Sequence, residues 1–394
     1  MNPFEIAPIL KRIMSVASRA SDIIFSPGSP PKVMIDGSLA EVPLKDLRPL
    51  SPYQTEMLVL DLLKDKPQAR ETFLKTGSVD ISYTLEKTGR FRTNCFRQRN
   101  SLVIVMRVIP TLIPTFDSLH LPQSLLGTLD LKNGIVLLTG PTGSGKSSTM
   151  AALINLMAQK YAYHIITIED PIEFLYPKTK SMIHQRELGA DTQSFANALR
   201  AGLRQAPQVI MVGEMRDVES IEIALEAAET GHLIMSTLHT IDAAKTIERI
   251  IGVFPKEQES VIRSRFAQTF RFIISQRLLP RPDGKGRVAA VEVLKSNDRT
   301  RTYVLKGGQA AGSLEDAMVD GSHEGMQTFD MDLLDKVNRR IINRDIAMRY
   351  ATNPNNLGLK LGILKQETET RPKDETTDDS LTLEKMPVLG LDNF

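Results

Sequence analysis

The chain has 394 residues, with 49 Lys and Arg against 47 Asp and Glu and a formal net charge of +2. This near balance disfavours a dedicated nucleic-acid binder, which is usually strongly basic. The single cysteine excludes an intramolecular disulfide and a cysteine-rich zinc site. No stretch approaches the roughly 18 consecutive apolar residues of a membrane helix, and the length predicts two or three globular domains.

Residues 1–112 have the pattern of an α+β domain. Apolar residues at helical spacing from Phe4 to Ala17 predict an amphipathic helix rather than a signal peptide. Asp36-Gly37 is a hairpin signal. A second helix is predicted over 51–63, and strands over 32–35, 79–85, 91–98 and 102–109.

Arginines lie in and beside the last two of these strands. Arg92, Arg97, Arg99 and Arg107 lie in or beside them, and alternation predicts that Arg97 and Arg99 share one strand face. Because guanidinium groups suit phosphate recognition, these arginines are candidate nucleotide ligands; the alternative is a solvated strand face. A nucleic-acid surface would need interleaved aromatic residues, and the two phenylalanines present are explained as simply by core packing.

The second domain contains a phosphate-binding loop. The run Gly140-Pro141-Thr142-Gly143-Ser144-Gly145-Lys146-Ser147 matches G-x-x-x-x-G-K-[ST], with an apolar run over 135–138 before it and a predicted helix from Ser148 to Lys160 after it. Such a loop binds phosphates with its backbone N–H groups at a helix N-terminus. In this pattern Lys146 reaches the β- and γ-phosphates and the Ser147 hydroxyl holds Mg²⁺, so the run predicts binding of ATP with Mg²⁺.

Residues 131–364 alternate between strands and helices, which predicts a mostly parallel α/β sheet with helices on its faces. Prolines cluster before it, so residues 113–130 are predicted to be a linker. From Pro255 to about Tyr350 the pattern is mainly helical, with a hairpin near 287–293. Strands are predicted over 135–138, 164–168, 208–212 and 232–237, and helices over 148–160, 193–204, 217–228 and 241–250.

Acidic residues follow two of these strands, at the edge where α/β sheets bind ligands. Glu169, Asp170 and Glu173 follow the second strand, where a carboxylate can align water or accept its proton. Glu169 and Asp170 could equally cap the next segment. Glu214 follows the apolar run 209–212, the Walker B arrangement that supports Mg²⁺. We therefore predict Glu173 and Glu214 as catalytic carboxylates.

Two histidines flank the last predicted strand of this group. His239 follows Thr237 and precedes Thr240 at its polar end, where it could sense the γ-phosphate. His232 lies at the other end and could bridge to a neighbouring subunit, or could be a satisfied core histidine. At the far terminus, residues 365–394 are acidic and lack apolar periodicity, which predicts a disordered tail; a docking peptide is the sharper alternative for its last residues.

Taken in order, these runs resemble the secretion ATPases of the type II/type IV pilus superfamily, and most of all their pilus-retraction branch. The runs that carry the resemblance are 140–147, 167–174, 212–217, 228–232 and 237–240, and the likeness extends over roughly residues 5–350. It implies a PAS-like first domain and a RecA-like second domain.

The resemblance also implies residue roles and partners. Glu173 falls at the family's catalytic glutamate, Glu214 at its Walker B glutamate, and His232 and His239 in its His box. Arginines of the first domain, with Arg107 as a catalytic candidate, would contact bound nucleotide. The family implies a homohexameric, cytoplasmic motor that meets the inner membrane through a pilus platform protein and drives pilus retraction and twitching motility.

Departures from the family pattern leave alternatives open. A single cysteine cannot build the four-cysteine zinc element of assembly and secretion members, which favours retraction. Residues 297–305 depart from a helix found in retraction members; residues 205–208 and the tail instead resemble an accessory retraction ATPase that works beside a paralogue. A nucleic-acid translocase and a slowly hydrolysing ATP sensor are the rivals from other functional classes.

Overall fold

The structure is a computed structural model that describes residues 5–35, 38–42, 48–86, 88–109, 112–284, 286–307 and 312–362. The predicted Asp36-Gly37 hairpin, Pro110 and the predicted acidic tail over 365–394 lie outside the described residues. Within these ranges, no helix has both the length and the apolar character that crossing a bilayer requires.

The first domain is an antiparallel sheet with helices packed on one face, which agrees with the predicted α+β class. The helices are α1 (Ile6–Val16), α2 (Pro52–Leu63) and α3 (Pro67–Thr76), and the strands are β1 (Asp22–Phe25), β2 (Lys32–Ile35), β3 (Ser38–Glu41), β4 (Ser78–Leu85), β5 (Gly89–Gln98) and β6 (Ser101–Ile109). The strand order in the sheet is β3-β2-β1-β6-β5-β4. Helix α3 was not predicted, because Phe73 is the only residue that it buries.

Residue parity along β5 separates two faces of this sheet. Phe91 and Cys95 are buried in the core beneath the helices. Arg90 and Arg92 lie on the opposite face, which contacts the second domain. The hydrophobic pattern that builds the first core therefore also directs two guanidinium groups toward the second domain.

The second domain begins with β7 (Gly134–Thr139), the helix α4 (Lys146–Lys160) and β8 (His164–Glu169). Its remaining strands are β9 (Met182–Glu187), β10 (Val209–Val212), β11 (Leu233–Leu238), β12 (Phe270–Pro280) and β13 (Arg287–Lys295). Its remaining helices are α5 (Phe195–Gly202), α6 (Val218–Glu229), α7 (Ala243–Ile251), α8 (Glu259–Thr269), α9 (Asp298–Lys306), α10 (Leu314–Asp320), α11 (Phe329–Asn338), α12 (Arg344–Tyr350) and α13 (Pro354–Lys360).

A seven-stranded sheet organises this domain, in the order β13-β12-β7-β11-β10-β8-β9. All neighbouring pairs are parallel except β12 with β13. Both faces are covered, by two separate hydrophobic clusters. Because parallel strands run in one direction, the segments that follow β7, β8, β10 and β11 all emerge at the same edge. This confirms the predicted α/β architecture and places the candidate residues together.

The region after Pro255 is mainly helical with a hairpin, as predicted, but the hairpin belongs to the central sheet. Strand β12 pairs in parallel with β7, and β13 completes an antiparallel hairpin with β12. The hairpin was predicted, but its place in the central sheet was not, because β12 and β7 are far apart in the sequence and their pairing leaves no local signal. Strand β12 therefore lies beside the strand that leads into the phosphate loop.

The stretch predicted as a linker packs on the second domain over most of its length. Short 3₁₀ segments span Asp117–Leu119 and Gln123–Asp130. Phe116, Leu125 and Leu129 are buried in the same cluster as α4. The apolar side chains between the prolines thus make this stretch part of the second core rather than a free connection.

Candidate active site

The phosphate loop lies between β7 and the first turn of α4, as predicted. Gly140 has φ +143°, and a Cβ there would lie 2.3 Å from the Gln276 carbonyl oxygen. Gly145 has φ +90°, and its Cβ would lie 2.8 Å from Gln276 Nε2. Glycine is therefore required at both positions, by conformation and by the close approach of β12.

Lys146 lies inside this loop. It is 8% exposed, and its Nζ donates to the carbonyl oxygens of Gly140 at 2.7 Å and Pro141 at 3.0 Å. Burial lowers the pKa of Lys146, while the nearby carboxylates of Glu173 and Glu214 raise it. The Lys146 ammonium is thus a buried cation inside the loop, and it can form charge-assisted hydrogen bonds with phosphate oxygens.

A cleft of about 440 Å³ opens over the loop and receives side chains from both domains. From the loop, Thr142, Gly143, Lys146 and Ser147 line it. From the strand ends it receives Glu169, Asp170, Glu173, Glu214 and His239, and from the first domain it receives Arg92. Ser144, within the loop, is buried, and Ser148 lies in the first turn of α4; neither of them lines the cleft.

Glu169, the last residue of β8, supports the segment that follows it. Glu169 is 7% exposed and accepts hydrogen bonds from Thr167 Oγ1 at 2.6 Å, Gln185 Nε2 at 3.0 Å and Glu173 N at 3.3 Å. Burial raises the pKa of Glu169, and these hydrogen bonds oppose that rise. Glu169 therefore orients the segment carrying Glu173, whose carboxylate remains available to the cleft.

Glu214 follows β10 and contacts two basic side chains. Its Oε2 lies 2.6 Å from Arg216 Nη2 and 3.6 Å from His239 Nε2. The backbone beneath it is fixed, because Thr237 Oγ1 donates to the Gly213 carbonyl at 2.6 Å. Arg216 was not predicted as a site residue, although its place two residues after the Walker B acid was an available signal.

His232 and His239 lie at opposite ends of β11. His232 Nδ1 is 3.1 Å from the Ala227 carbonyl oxygen, so the His232 side chain contacts the last turn of α6. At about 3.3 Å per residue, the strand separates it from the cleft by roughly 20 Å. The predicted bridge from His232 to a neighbouring subunit stays a prediction, whereas His239 lines the cleft.

The predicted arginines take different positions. Arg107 lies directly across from Arg92 in the β5–β6 pair, and its Nε donates to Asp22 Oδ1 at 3.0 Å. Arg97 lies on the opposite strand face, with its guanidinium 5.6 Å from the Phe73 ring centroid. The prediction that Arg97 and Arg99 share a strand face is wrong, because β5 ends at Gln98 and Arg99, with φ +44°, lies in the hairpin turn. Of the four, only Arg92 reaches the cleft within one chain.

Sequence reasoning missed the support beneath the loop. Thr149 Oγ1 in α4 donates to Gln276 Oε1 at 2.9 Å, and Thr139 Oγ1 lies 3.0 Å from Ser275 Oγ. All four side chains are buried. These polar groups connect β12 to both ends of the phosphate loop, and nothing in the local sequence around Ser275 and Gln276 indicated that role.

A larger cavity, of about 590 Å³, lies elsewhere, between the 3₁₀ segments and α11. Its buried cation, Lys336, is already paired with Asp332 at 2.7 Å. It contains no phosphate loop and no strand end of the parallel sheet. The smaller cleft is therefore the better candidate for the active site.

Comparison with known proteins agrees with this geometry. The profile of the family described as "Type II/IV secretion system protein" matches residues 9–313. The type IV pilus retraction ATPase PilT of Pseudomonas aeruginosa is 40% identical over 343 residues, covering 87% of this chain and 97% of that protein. The type IV pilus ATPase PilU of the same organism is 38% identical over 354 residues, covering 90% and 91%.

A solved structure gives the same relationship in three dimensions. The crystal structure of the pilus retraction motor PilT with bound ADP is 42% identical and has a TM-score of 0.79, covering 89% of this chain and 98% of that one. The ATPase DotB of Legionella pneumophila is 30% identical, with a TM-score of 0.74 and coverage of 86% and 94%. The chain therefore belongs to the type II/IV secretion system protein family, as one of its P-loop ATPases.

Proposed function

We propose that this protein is an ATP-hydrolysing motor that powers retraction of type IV pili. The observation that carries the proposal is the cleft itself, where a phosphate loop, two strand-end acids and an arginine of the other domain meet. The retraction assignment is supported by the identity to PilT over almost the whole of both chains.

Each part of the cleft has a defined task in hydrolysis. The N–H groups of the loop and Lys146 bind the triphosphate. Glu173 aligns the attacking water or accepts its proton, and His239 lies where it can sense the γ-phosphate. Arg92 supplies positive charge to the oxygens of the transferring phosphoryl group, a role that arginine fingers play in other nucleotide hydrolases.

The residues present fit a magnesium ion bound through the nucleotide. Among the described residues, no group of three or more His, Cys, Asp or Glu side chains is arranged to hold a metal by itself. Magnesium in such sites instead takes most of its oxygen ligands from phosphates and water. The Ser147 hydroxyl and the Glu214 carboxylate, both in the cleft, would hold it, and the ion would neutralise charge on the phosphates.

Mechanical work follows from the placement of the cleft between two domains. Closure of the first domain over bound ATP brings Arg92 toward the phosphates, and hydrolysis releases that attraction. We propose a homohexamer in which closure passes from subunit to subunit, with Arg107 reaching a neighbouring cleft. On the cytoplasmic side of the inner membrane, such a ring would turn a platform protein and withdraw pilin subunits.

A second candidate is an accessory retraction ATPase that acts beside a paralogous motor. It is favoured by the PilU match, which extends over slightly more of this chain than the PilT match. Residues 297–305, which form most of α9, also depart from the helix that retraction members carry. Direct action on nucleic acid is not expected, given the net charge of +2.

Deletion of the gene in a piliated host tests the proposal. Loss of twitching motility with surplus surface pili is the expected result. Absence of pili would instead indicate an assembly ATPase and overturn the retraction assignment. Motility that is lost only when force is high, or when the paralogue is impaired, would select the accessory role over the principal one.

A further inference from the structure

Glu187, at the carboxyl end of β9, contacts both domains at once. We propose that Glu187 is a positioning residue which couples docking of the first domain to the placement of Glu173. This inference rests on the proposed function, since it concerns when the cleft becomes competent for hydrolysis. The proposal rests on the Glu187 carboxylate, which contacts both Arg90 of the first domain and the backbone N–H of Ile172, next to Glu173.

The first arm of this contact crosses the domain boundary. Arg90 Nη2 pairs with Glu187 Oε2, and Ser82 Oγ donates to Glu187 Oε1. The side chains of Arg90 and Glu187 are 15% and 7% exposed, so the ion pair is largely shielded from water. Breaking a shielded pair from one side leaves the remaining charge uncompensated, which makes the contact sensitive to separation of the domains.

The second arm reaches the catalytic segment. Glu187 Oε2, the oxygen that pairs with Arg90, also accepts a hydrogen bond from Ile172 N at 3.0 Å. Ile172 is buried and directly precedes Glu173 in the chain. The backbone of Glu187 is itself fixed, because its N–H donates to Asp191 Oδ2 at 2.8 Å.

Sharing one oxygen couples the two arms. When the first domain is docked, Arg90 and Ser82 hold the carboxylate in the position where it accepts the Ile172 N–H. When the first domain separates, the buried carboxylate loses its counter-charge and turns toward water, and Ile172 loses its acceptor. The segment carrying Glu173 is then less ordered, while the phosphate loop, which does not contact Glu187, is unchanged. Hydrolysis should therefore depend on domain docking more strongly than nucleotide binding does.

The test uses the full chain with Arg90→Gln, and with Arg70→Gln as the control. Arg70 is an exposed arginine on α3 of the same domain, so both variants remove one positive charge from that domain. Hydrogen exchange of the Ile172 amide is measured without nucleotide, and kcat, KM and the Kd for ATP are measured for each protein.

Arg90→Gln is expected to speed exchange at Ile172 about tenfold and lower kcat about tenfold, with the Kd for ATP changed less than about threefold. Arg70→Gln should match the wild type in all of these. Equal exchange at Ile172 in Arg90→Gln and wild type would overturn the proposal. Because exchange needs no turnover, an inactive wild type would count against the proposed function without deciding the coupling.

A second set of variants tests the same coupling if Arg90→Gln folds poorly. Arg90→Lys retains a charge for Glu187 and should restore at least about half of the wild-type protection at Ile172. Glu187→Gln keeps an acceptor for Ile172 but loses the ion pair with Arg90. If the two residues act as one unit, the double variant Arg90→Gln/Glu187→Gln should have a kcat no lower than the more impaired single variant. Multiplying effects in the double variant would show that the two residues act independently and would refute the coupling.

Discussion

Glu169 and Glu187 are register partners at the carboxyl ends of two parallel strands, β8 and β9. Each accepts a backbone N–H from one of two consecutive residues: Glu169 from Glu173 at 3.3 Å and Glu187 from Ile172 at 3.0 Å. The segment that presents Glu173, the proposed catalytic carboxylate, is therefore held by a pair of buried acids. This arrangement ties the position of Glu173 to the sheet on one side and to the first domain on the other.

Replacing Lys146 with alanine should remove most nucleotide affinity. The change deletes a buried ammonium inside the phosphate loop, and a charge-assisted contact of this kind contributes on the order of 2 kcal/mol, roughly thirtyfold in Kd. Fluorescent-nucleotide titration measures it. Lys160→Ala, at the exposed far end of the same helix, serves as the control and should bind normally. An unchanged Kd for nucleotide in Lys146→Ala would show that the loop does not bind the phosphates.

Replacing Glu173 with glutamine should separate binding from hydrolysis. The amide keeps the shape of the side chain but can neither accept a proton nor orient water as a carboxylate does, so kcat should fall at least about a hundredfold. The Kd for ATP should stay within about threefold of the wild type. Equal losses in binding and turnover would assign Glu173 to substrate binding rather than catalysis. Glu219→Gln, on the surface of α6, controls for the charge change.

Arg92 and Arg107 should differ in how they depend on assembly. Arg92 lines the cleft of its own chain, so Arg92→Gln should lower hydrolysis at every protein concentration. Arg107 is paired with Asp22 and is 67% exposed, so Arg107→Ala should lower hydrolysis only where rings form. ATPase rates measured across a dilution series, with sedimentation to report assembly, distinguish the two. If Arg107→Ala hydrolyses ATP at the wild-type rate in intact rings, Arg107 is a surface residue with no part in hydrolysis.

Replacing Gln276 with leucine should destabilise the second domain and loosen the phosphate loop. Leucine leaves the buried Thr149 hydroxyl without its acceptor, which costs about 1–3 kcal/mol of unfolding free energy. Urea denaturation measures the loss, and Gln268→Leu, an exposed change on α8, is the control. If Gln276→Leu is as stable as the control and binds ATP normally, β12 does not support the loop.

The stability of the protein should fall with rising pH through the titration of Glu292. Burial raises the pKa of Glu292 from 4.5 to about 7, with the nearby Asp242 adding to that rise; its Oε1 accepts the Ala243 N–H at the start of α7. Between these pH values the folded chain keeps a proton that the unfolded chain releases. The stabilisation is therefore complete below pH 4.5 and lost as pH rises through about 7.

Glu292→Gln should remove that pH dependence. The amide can still accept from Ala243 but cannot ionise, so the variant should exceed the wild type in unfolding free energy at pH 8 by on the order of 3 kcal/mol. The difference should vanish near pH 4. Parallel stability profiles for the two proteins across this range would show that Glu292 does not titrate between the folded and unfolded states.

The parts of the site that depend on near neighbours in the chain were predictable. The phosphate loop needs glycines at 140 and 145, an apolar strand before it and a helix after it, and all of these are local. Glu173, Glu214 and His239 were predicted from one rule, that parallel strands bring the segments after them to a common edge. The four parallel strands concerned, β7, β8, β10 and β11, begin and end within a few residues of their predicted bounds.

Other parts were decided only by contacts between distant segments. Arg92 reaches the cleft while Arg97 does not, because an odd number of positions along β5 separates them and they lie on opposite faces of the strand. Gln276 supports the loop because β12 pairs with β7, and Glu187 joins the domains because β9 ends beside β8. Local sequence carries backbone preference and the chemistry of each side chain. Which charges meet depends on sheet pairing and domain docking, whose free energy is the sum of many weak contacts spread along the chain.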